Sequence, residues 1–142
     1  MFYEPKKGHP FTHNPFNALV FPRPIGWISS LSNRGIANLA PYSFFNAIAY
    51  EPPQVMFAAT ANHNLGGFKD SVANILSTKE FVVNLATKKL KIKVNQSSID
   101  APHEVDEFKL CELKKRKSKI VKPSLIADSP VNLECRLLKK IN

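Results

Sequence analysis

Several residue patterns that mark common chemistries are scarce or missing in this chain, and each absence closes off a class of function. There are only 5 glycines, and no two stand in the GxG spacing of a phosphate-cradling loop, so no dinucleotide fingerprint is present. The 2 cysteines, Cys111 and Cys135, lie far apart and form no CxxC pair, which points to a reducing compartment with incidental thiols. The 4 histidines (His9, His13, His63 and His103) are scattered. His9 and His13 have the spacing of one helical turn, but Pro10 and Pro15 disfavour a helix there. Without an HExxH or a Cys/His cluster, no metal site is expected. There is no GxSxG, and no Ser–His–acid order stands out from chance. The N-terminal "MFYEPKKGHPFTHNP" has no apolar signal core and no apolar run reaches membrane-spanning length, so a soluble cytoplasmic protein is the expectation.

Acidic residues are also in short supply, 11 against 20 basic ones, for a net charge of +9. Such an excess favours an anionic partner: nucleic acid, a membrane surface or a phosphorylated ligand. Much of it lies in "KKLKIK" (88–93) and "KKRKSK" (114–119), runs whose plainest role is a solvated face. "KKRKSK" could bind nucleic-acid phosphates, but it lacks interleaved aromatics and no reader motif accompanies it. A small basic nucleic-acid-binding module is therefore kept as the alternative from a different class.

The chain has 142 residues, of which 44% are hydrophobic, a size and composition that suit one soluble domain with a real core. Its 11 prolines favour loops and strand edges over long helices. Residues 1–22 read as an extended arm, followed by a strand in "IGWISSLS" (25–32), a turn at "NRG" and a strand returning through "ANLAPYSFFNAIAY" as far as "EPP". "QVMFAAT" (54–60) and "EFVVNLAT" (80–87) are further strands. Between them "DSVANILSTK" is a helix capped by Asp70 or Ser71, and "KKLKIKVNQSSI" is a second, capped by Thr87. The rest alternates loop and short strand. The fold class is mainly β, an antiparallel barrel or sandwich with inserted helices.

Three stretches could carry chemistry. "GGFKDS" (66–71) sets Lys69 and a capping Asp70 or Ser71 at a helix start, where backbone N–H groups and the macrodipole favour an anion. The competing reading is that Asp70 only caps the helix while Lys69 points to water. "HEVDEF" offers Glu104, Asp106 and Glu107, which read as solvated carboxylates sooner than as an acid–base pair. "APYSFFN" (40–46) sets Ser43 and Asn46 among Pro41, Tyr42, Phe44 and Phe45, an apolar wall with a hydroxyl and a carboxamide set into it.

Taken in order, "RPIGWISSLSNRGIANLAPYSFFNAIAYEPPQVMF", "FKDSVANI", "EFVVNL", "VDEF" and "KPSLIADSPVNLECRL" resemble the flavin reductase-like, FMN-binding split-barrel family, from about Arg23 to Leu137. The resemblance implies a Greek-key split barrel that forms a homodimer with FMN in clefts at the interface. It also implies an oxidoreductase that passes hydride from NADH or NADPH to FMN, the chemistry being carried by the flavin with no catalytic side chain. Trp27, Ser29, Asn38, Ala40, Ser43, Phe44 and Asn46 would line the ring and ribityl chain. Lys69, Asp70 and Ser71 would hold the phosphate end, Asp70 by organising the loop. The family pattern runs on beyond "SPVNLECRL" into strands that help close the barrel, whereas Asn142 follows Leu137 by 5 residues. A shortened barrel with an open edge is therefore expected, and a truncated or non-catalytic FMN-binding relative is the nearer alternative.

Overall fold

The computed structural model describes residues 2–141. Strand β1 (Gly26–Leu31) pairs antiparallel with β2 (Ala37–Tyr42) across a tight turn, where Gly35 N–H donates to Ser32 O at 2.9 Å. Gly35 takes a φ of +78°, which a glycine adopts without a side-chain clash. The other edge of β1 pairs with β5 (Glu80–Leu85), and β5 pairs with β8 (Asn132–Arg136), giving an antiparallel sheet ordered β2-β1-β5-β8. Strands β3 (Phe45–Tyr50) and β4 (Pro53–Phe57) form a separate hairpin, and β6 (Lys115–Arg116) and β7 (Leu125–Ile126) a minimal third one. The architecture is a mainly β split barrel with inserted helices, and its sheets do not close on one another.

The single returning strand expected over 36–50 is two strands. The chain leaves the first sheet at Ser43–Phe44 and enters the hairpin at Phe45. Two features account for the step. Pro41 has no N–H to give a neighbour, which suits β2 as an edge strand. Gly26 leaves room for the Phe45 ring, since a Cβ built there would lie 2.5 Å from Phe45 Cδ2. The step folds the hairpin back over β1.

The helices differ from expectation in their ends. The arm carries a single 3-10 turn at Pro5–Lys7 and a short α1 (Pro15–Leu19), where Asn14 Oδ1 accepts from Phe16 N–H at 3.0 Å and Pro15 takes the first helical position. Helix α2 (Asp70–Thr78) is preceded by Lys69 as its N-cap, with no side-chain capping bond, so neither Asp70 nor Ser71 caps it. "KKLKIKVNQSSI" splits into a 3-10 turn at Lys88–Leu90 and α3 (Lys91–Gln96), without a capping bond from Thr87. A further short helix, α4 (Glu107–Leu110), stands where loop and strand were expected, and Asp106 Oδ1 caps it by accepting from Phe108 N–H.

Both faces of the main sheet are covered. Trp27, Leu39, Leu90, Phe108 and Ile126 pack on one face, and Ile28, Ile75, Phe81 and Val83 on the other against Phe45, Val55 and Phe57 of the hairpin. Burying each large apolar side chain contributes about 1.5–3 kcal/mol. Burial on both faces also traps polar groups in β1, and these find internal partners. Ser29 Oγ donates to Ser124 O at 2.7 Å, and Asn84 Nδ2 donates to Trp27 O at 3.0 Å and to Ser29 Oγ at 3.2 Å.

Candidate functional site

A cleft of about 350 Å³ opens where the end of β2, the Ser43–Phe44 step, the loop after β4, the start of α2 and the 98–101 loop converge. Ala40, Pro41, Phe44, Ala58 and Ala59 give it an apolar wall, while Asn38, Ser43 and Ser71 supply neutral polar atoms. Its ionisable groups are Arg23, Tyr42, His63, Lys69, Asp70, Asp100 and Glu107.

Seven of the residues expected at the site line this cleft: Asn38, Ala40, Ser43, Phe44, Lys69, Asp70 and Ser71. The other three lie elsewhere. Trp27 is fully buried in the core, its Nε1–H donating to Ser97 Oγ at 2.8 Å. Ser29 is fully buried beside Ser124 and Asn84. Both point into a face of the sheet that packed side chains already fill. Asn46 is exposed on β3, where its Oδ1 accepts from Ala47 N–H at 3.0 Å.

The floor of the cleft is a buried network. Glu107 Oε2 accepts from Leu39 N–H at 2.9 Å and from Asn38 Nδ2 at 3.1 Å. Asn38 Oδ1 accepts from Ser71 Oγ at 2.7 Å and from Ser30 Oγ at 3.3 Å. Burial pushes the Glu107 carboxyl above its ordinary range, opposed by the Leu39 and Asn38 donors. Burial likewise raises the Tyr42 hydroxyl, with Ser71 acting in the other direction.

At the α2 end the charges are already paired. Lys69 Nζ lies 3.0 Å from Asp100 Oδ1, and this hydrogen bond holds the Asp100 carboxyl below the usual range. His103 Nδ1 lies 2.6 Å from Asp70 Oδ1, and the His103 ring stacks on that of His63 with centroids 4.1 Å apart. His63, Asp70 and His103 have ligand atoms within 4.8 Å of one another, a candidate metal cluster that sequence spacing did not reveal. However, His63 Nδ1 accepts from Leu65 N–H, so Nε2 carries the hydrogen and donates to Ala101 O at 2.9 Å. Both ring nitrogens are engaged, and a metal could enter only by breaking one of these bonds.

On the opposite rim Arg23 ties the arm to the wall. Its Nη1 donates to Asn17 O and Val20 O at 2.8 and 2.6 Å, its Nε donates to Ser43 Oγ at 3.3 Å, and its guanidinium lies 5.0 Å from the Phe44 ring centroid. Sequence reasoning did not place Arg23, His63, Asp100, His103 or Glu107 at the site. Glu107 alone carried a signal, since it precedes the apolar Phe108 in "VDEF" and could have been read as the inward edge of a short helix.

A family model described as a flavin reductase like domain matches residues 18–142. An uncharacterized protein of Aquifex aeolicus is 43% identical over 123 residues, 87% of this chain and 62% of its own length. Among solved structures, the 2-nitrobenzoate 2-nitroreductase NbaA of Pseudomonas fluorescens superimposes with a TM-score of 0.78 at 30% identity, covering 89% of this chain and 59% of that one. Nitrilotriacetate monooxygenase component B of Bacillus cereus superimposes with a TM-score of 0.82 at 24% identity, covering 92% of this chain and 67% of that one, a likeness of fold. The chain thus spans less than two thirds of the length of the curated relative from Aquifex aeolicus. Among the described residues no helix is long and apolar enough to cross a membrane.

Proposed function

The chain belongs to the flavin reductase-like family, and from that premise we propose that its cleft binds FMN and uses it as an oxidoreductase with NADH or NADPH as the hydride donor. The observation that carries this reading is the pairing, within one cleft, of a flat apolar wall with a helix N-terminus preceded by Lys69. Isoalloxazine is a flat, largely apolar ring with a polar edge, and such a ring needs a few placed polar groups on an otherwise apolar surface. Phe44, Pro41 and Ala40 offer that surface. Ser43 Oγ accepts from Arg23, which leaves the Ser43 hydrogen free to donate to a ligand oxygen.

The phosphate end is assigned to Lys69 and to the first backbone N–H groups of α2, which have no partner inside the helix. Asp70 organises this end through His103. Trp27 and Ser29 act from beneath by holding β1 in register. When bound, FMN supplies the two-electron chemistry itself, so no acid–base side chain is required of this chain. The protein's part is to bind, orient and shelter the ring.

A homodimer is part of the same proposal. The outer face of the β3–β4 hairpin leaves Ile48, Tyr50 and Met56 at 58%, 89% and 47% exposure, beside Asn46. An apolar face of this kind is suited to a second copy, which would enclose the neighbouring cleft.

The test is to load purified protein with FMN, record the visible spectrum, and mix anaerobically with NADH or NADPH. Retained yellow absorbance followed by bleaching is expected. Flavin that stays yellow would rule out the reductase activity while leaving FMN binding intact. Absence of retained flavin, together with salt-dependent retention on DNA, would favour a basic nucleic-acid-binding module instead.

A further inference from the structure

One chain of hydrogen bonds in the cleft floor has a direction that is fixed from its first member. Leu39 N–H can only donate, and it points at Glu107 Oε2 at 2.9 Å. That oxygen is therefore an acceptor, and Asn38, 3.1 Å from the same atom, must offer it the amide NH₂. The Asn38 carbonyl oxygen is thereby turned towards Ser71 Oγ at 2.7 Å and Ser30 Oγ at 3.3 Å, and both hydroxyls must donate to it. Ser30 in turn accepts from Asn74 Nδ2 at 3.2 Å, which closes that branch inside the protein. Ser71 ends the other branch at the cleft wall, beside the Tyr42 hydroxyl and with its only hydrogen spent. Asn38 and Glu107 are 6% and 4% exposed, so water offers them no alternative partner and the direction is locked as far as the Ser71 hydroxyl.

We propose that Glu107 is a positioning residue: acting through Asn38, it turns Ser71 Oγ into an acceptor, so that Ser71 receives an N–H or O–H of the bound ligand and not a phosphate oxygen. The inference rests on the flavin reading of the cleft and sharpens it. In FMN the groups that can donate are the ring N3–H and the ribityl hydroxyls, while an ionised phosphate only accepts. Lys69 stands as the cation at the α2 end, so Ser71 and Lys69 serve different parts of the ligand. The competing account is that Glu107 merely pins α4 to β2.

The experiment measures the affinity of the full chain and its variants for FMN and for riboflavin, which lacks the phosphate, by quenching of flavin fluorescence. Ser71→Ala should weaken both flavins equally, by about tenfold for one lost hydrogen bond. Glu107→Leu should give the same equal loss, and the double variant should lose no more than either alone, because the two residues act in one chain. Glu107→Gln retains an acceptor for Leu39 N–H and Asn38 and should recover most of the loss, which a simple pin between helix and strand does not require. A loss confined to FMN on Ser71→Ala would assign Ser71 to the phosphate and overturn the proposal. Additive losses in the double variant, or Glu107→Gln as harmful as Glu107→Leu, would overturn the positioning role. Ser71→Ala removes a single atom, so the FMN-against-riboflavin comparison stands even if Glu107→Leu does not fold. Wild type that binds neither flavin would remove the flavin reading and this inference with it, a result visible before any variant is made.

Discussion

The floor and the rim of the cleft are built by different means. Beneath the cleft and in the core behind it the polar groups are buried and paired internally: Trp27, Ser29, Asn38, Asn84 and Glu107 each have an internal partner. Around the mouth, Arg23, Phe44, Lys69 and Asp100 are held by contacts that water can reach. Lys69, for example, is 28% exposed and Asp100 23%. A buried, fully paired network has one low-energy arrangement, because every alternative orphans a polar group. An exposed contact can be exchanged for water at little cost. The floor is therefore a template and the rim an adjustable frame, and the difference suggests variants that damage one while sparing the other.

The strongest way to break the buried support behind the floor is Trp27→Ala. It opens a cavity in the fully buried core and removes the donor to Ser97 Oγ, so a loss of about 3–5 kcal/mol is expected, read from the urea midpoint. Flavin affinity should fall only as far as the folded population falls, since Trp27 does not line the cleft. A variant that stays stable but loses flavin would put Trp27 at the ligand after all.

Lys69→Ala tests the rim in the opposite sense. Removing the cation from the α2 end should cost FMN about tenfold in affinity, on the order of one charge-assisted hydrogen bond, and leave riboflavin nearly untouched. The urea midpoint should move little, because the Lys69–Asp100 pair is partly exposed. Equal losses for the two flavins would move the phosphate away from α2.

Acid should separate the two regions by sign. Burial raises the Glu107 carboxyl in the folded chain, so the folded state binds the proton more readily than the unfolded state. Glu107 therefore costs stability as pH rises through the interval between its unfolded and folded values, and that cost disappears on acidification. Asp100 is shifted down, chiefly by its hydrogen bond from Lys69, so its contribution is present above the unfolded carboxylate value and fades as pH falls towards the folded one. Unfolding curves recorded from about pH 7 down to about pH 3, a span that brackets ordinary carboxyl values, check this. Relative to Glu107→Gln, wild type should gain stability as pH falls. Relative to Asp100→Asn, it should lose it. Parallel slopes for the two variants would erase the electrostatic contrast.

Legibility in the sequence follows the same division. Strands β1 and β5 are readable because apolar residues bounded by turn signals leave few alternatives, while Ala40 and Phe44 come from the family resemblance. The break at Ser43–Phe44 is not readable, because it depends on the Phe45 ring finding Gly26 across the sheet, a contact between residues 19 apart in the chain. Glu107 reads in the sequence as a solvated carboxylate because its partners, Asn38 and Leu39, are almost 70 residues away. The stacked His63 and His103 are 40 apart, and no spacing rule joins them. Asp70 and Ser71 stand at the helix end the sequence indicates, but neither takes the capping role expected of one of them. Their capping propensity is real, yet His103 and Asn38 hold their side chains more firmly than the helix start does. Local propensity thus located elements, while the polar partners that define the site came from tertiary contacts.

The smallest effect expected is the most informative about the rim. Arg23 joins α1 to the wall by four contacts: the Asn17 and Val20 carbonyls, the Ser43 hydroxyl and the Phe44 ring. A planar guanidinium can meet all of them at once, whereas a lysine ammonium is a compact point charge on a flexible stem. Arg23→Lys keeps the charge and loses that simultaneity. Because the carbonyl contacts are exposed, global stability should fall by less than about 0.5 kcal/mol. The arm, in contrast, has little else holding it to the sheet: α1 has no buried residue, and Phe16 remains half exposed even where it stacks on Phe44. Local opening should therefore rise well before global unfolding does, and cleavage by a protease between residues 15 and 22 should accelerate several-fold at an unchanged urea midpoint. Added FMN should slow that cleavage if the arm borders the bound ring, since Arg23 and Asn17 both line the cleft. Cleavage that is unaffected by the substitution would mean that α1 is held by its apolar contacts alone, and the rim would then be as fixed as the floor.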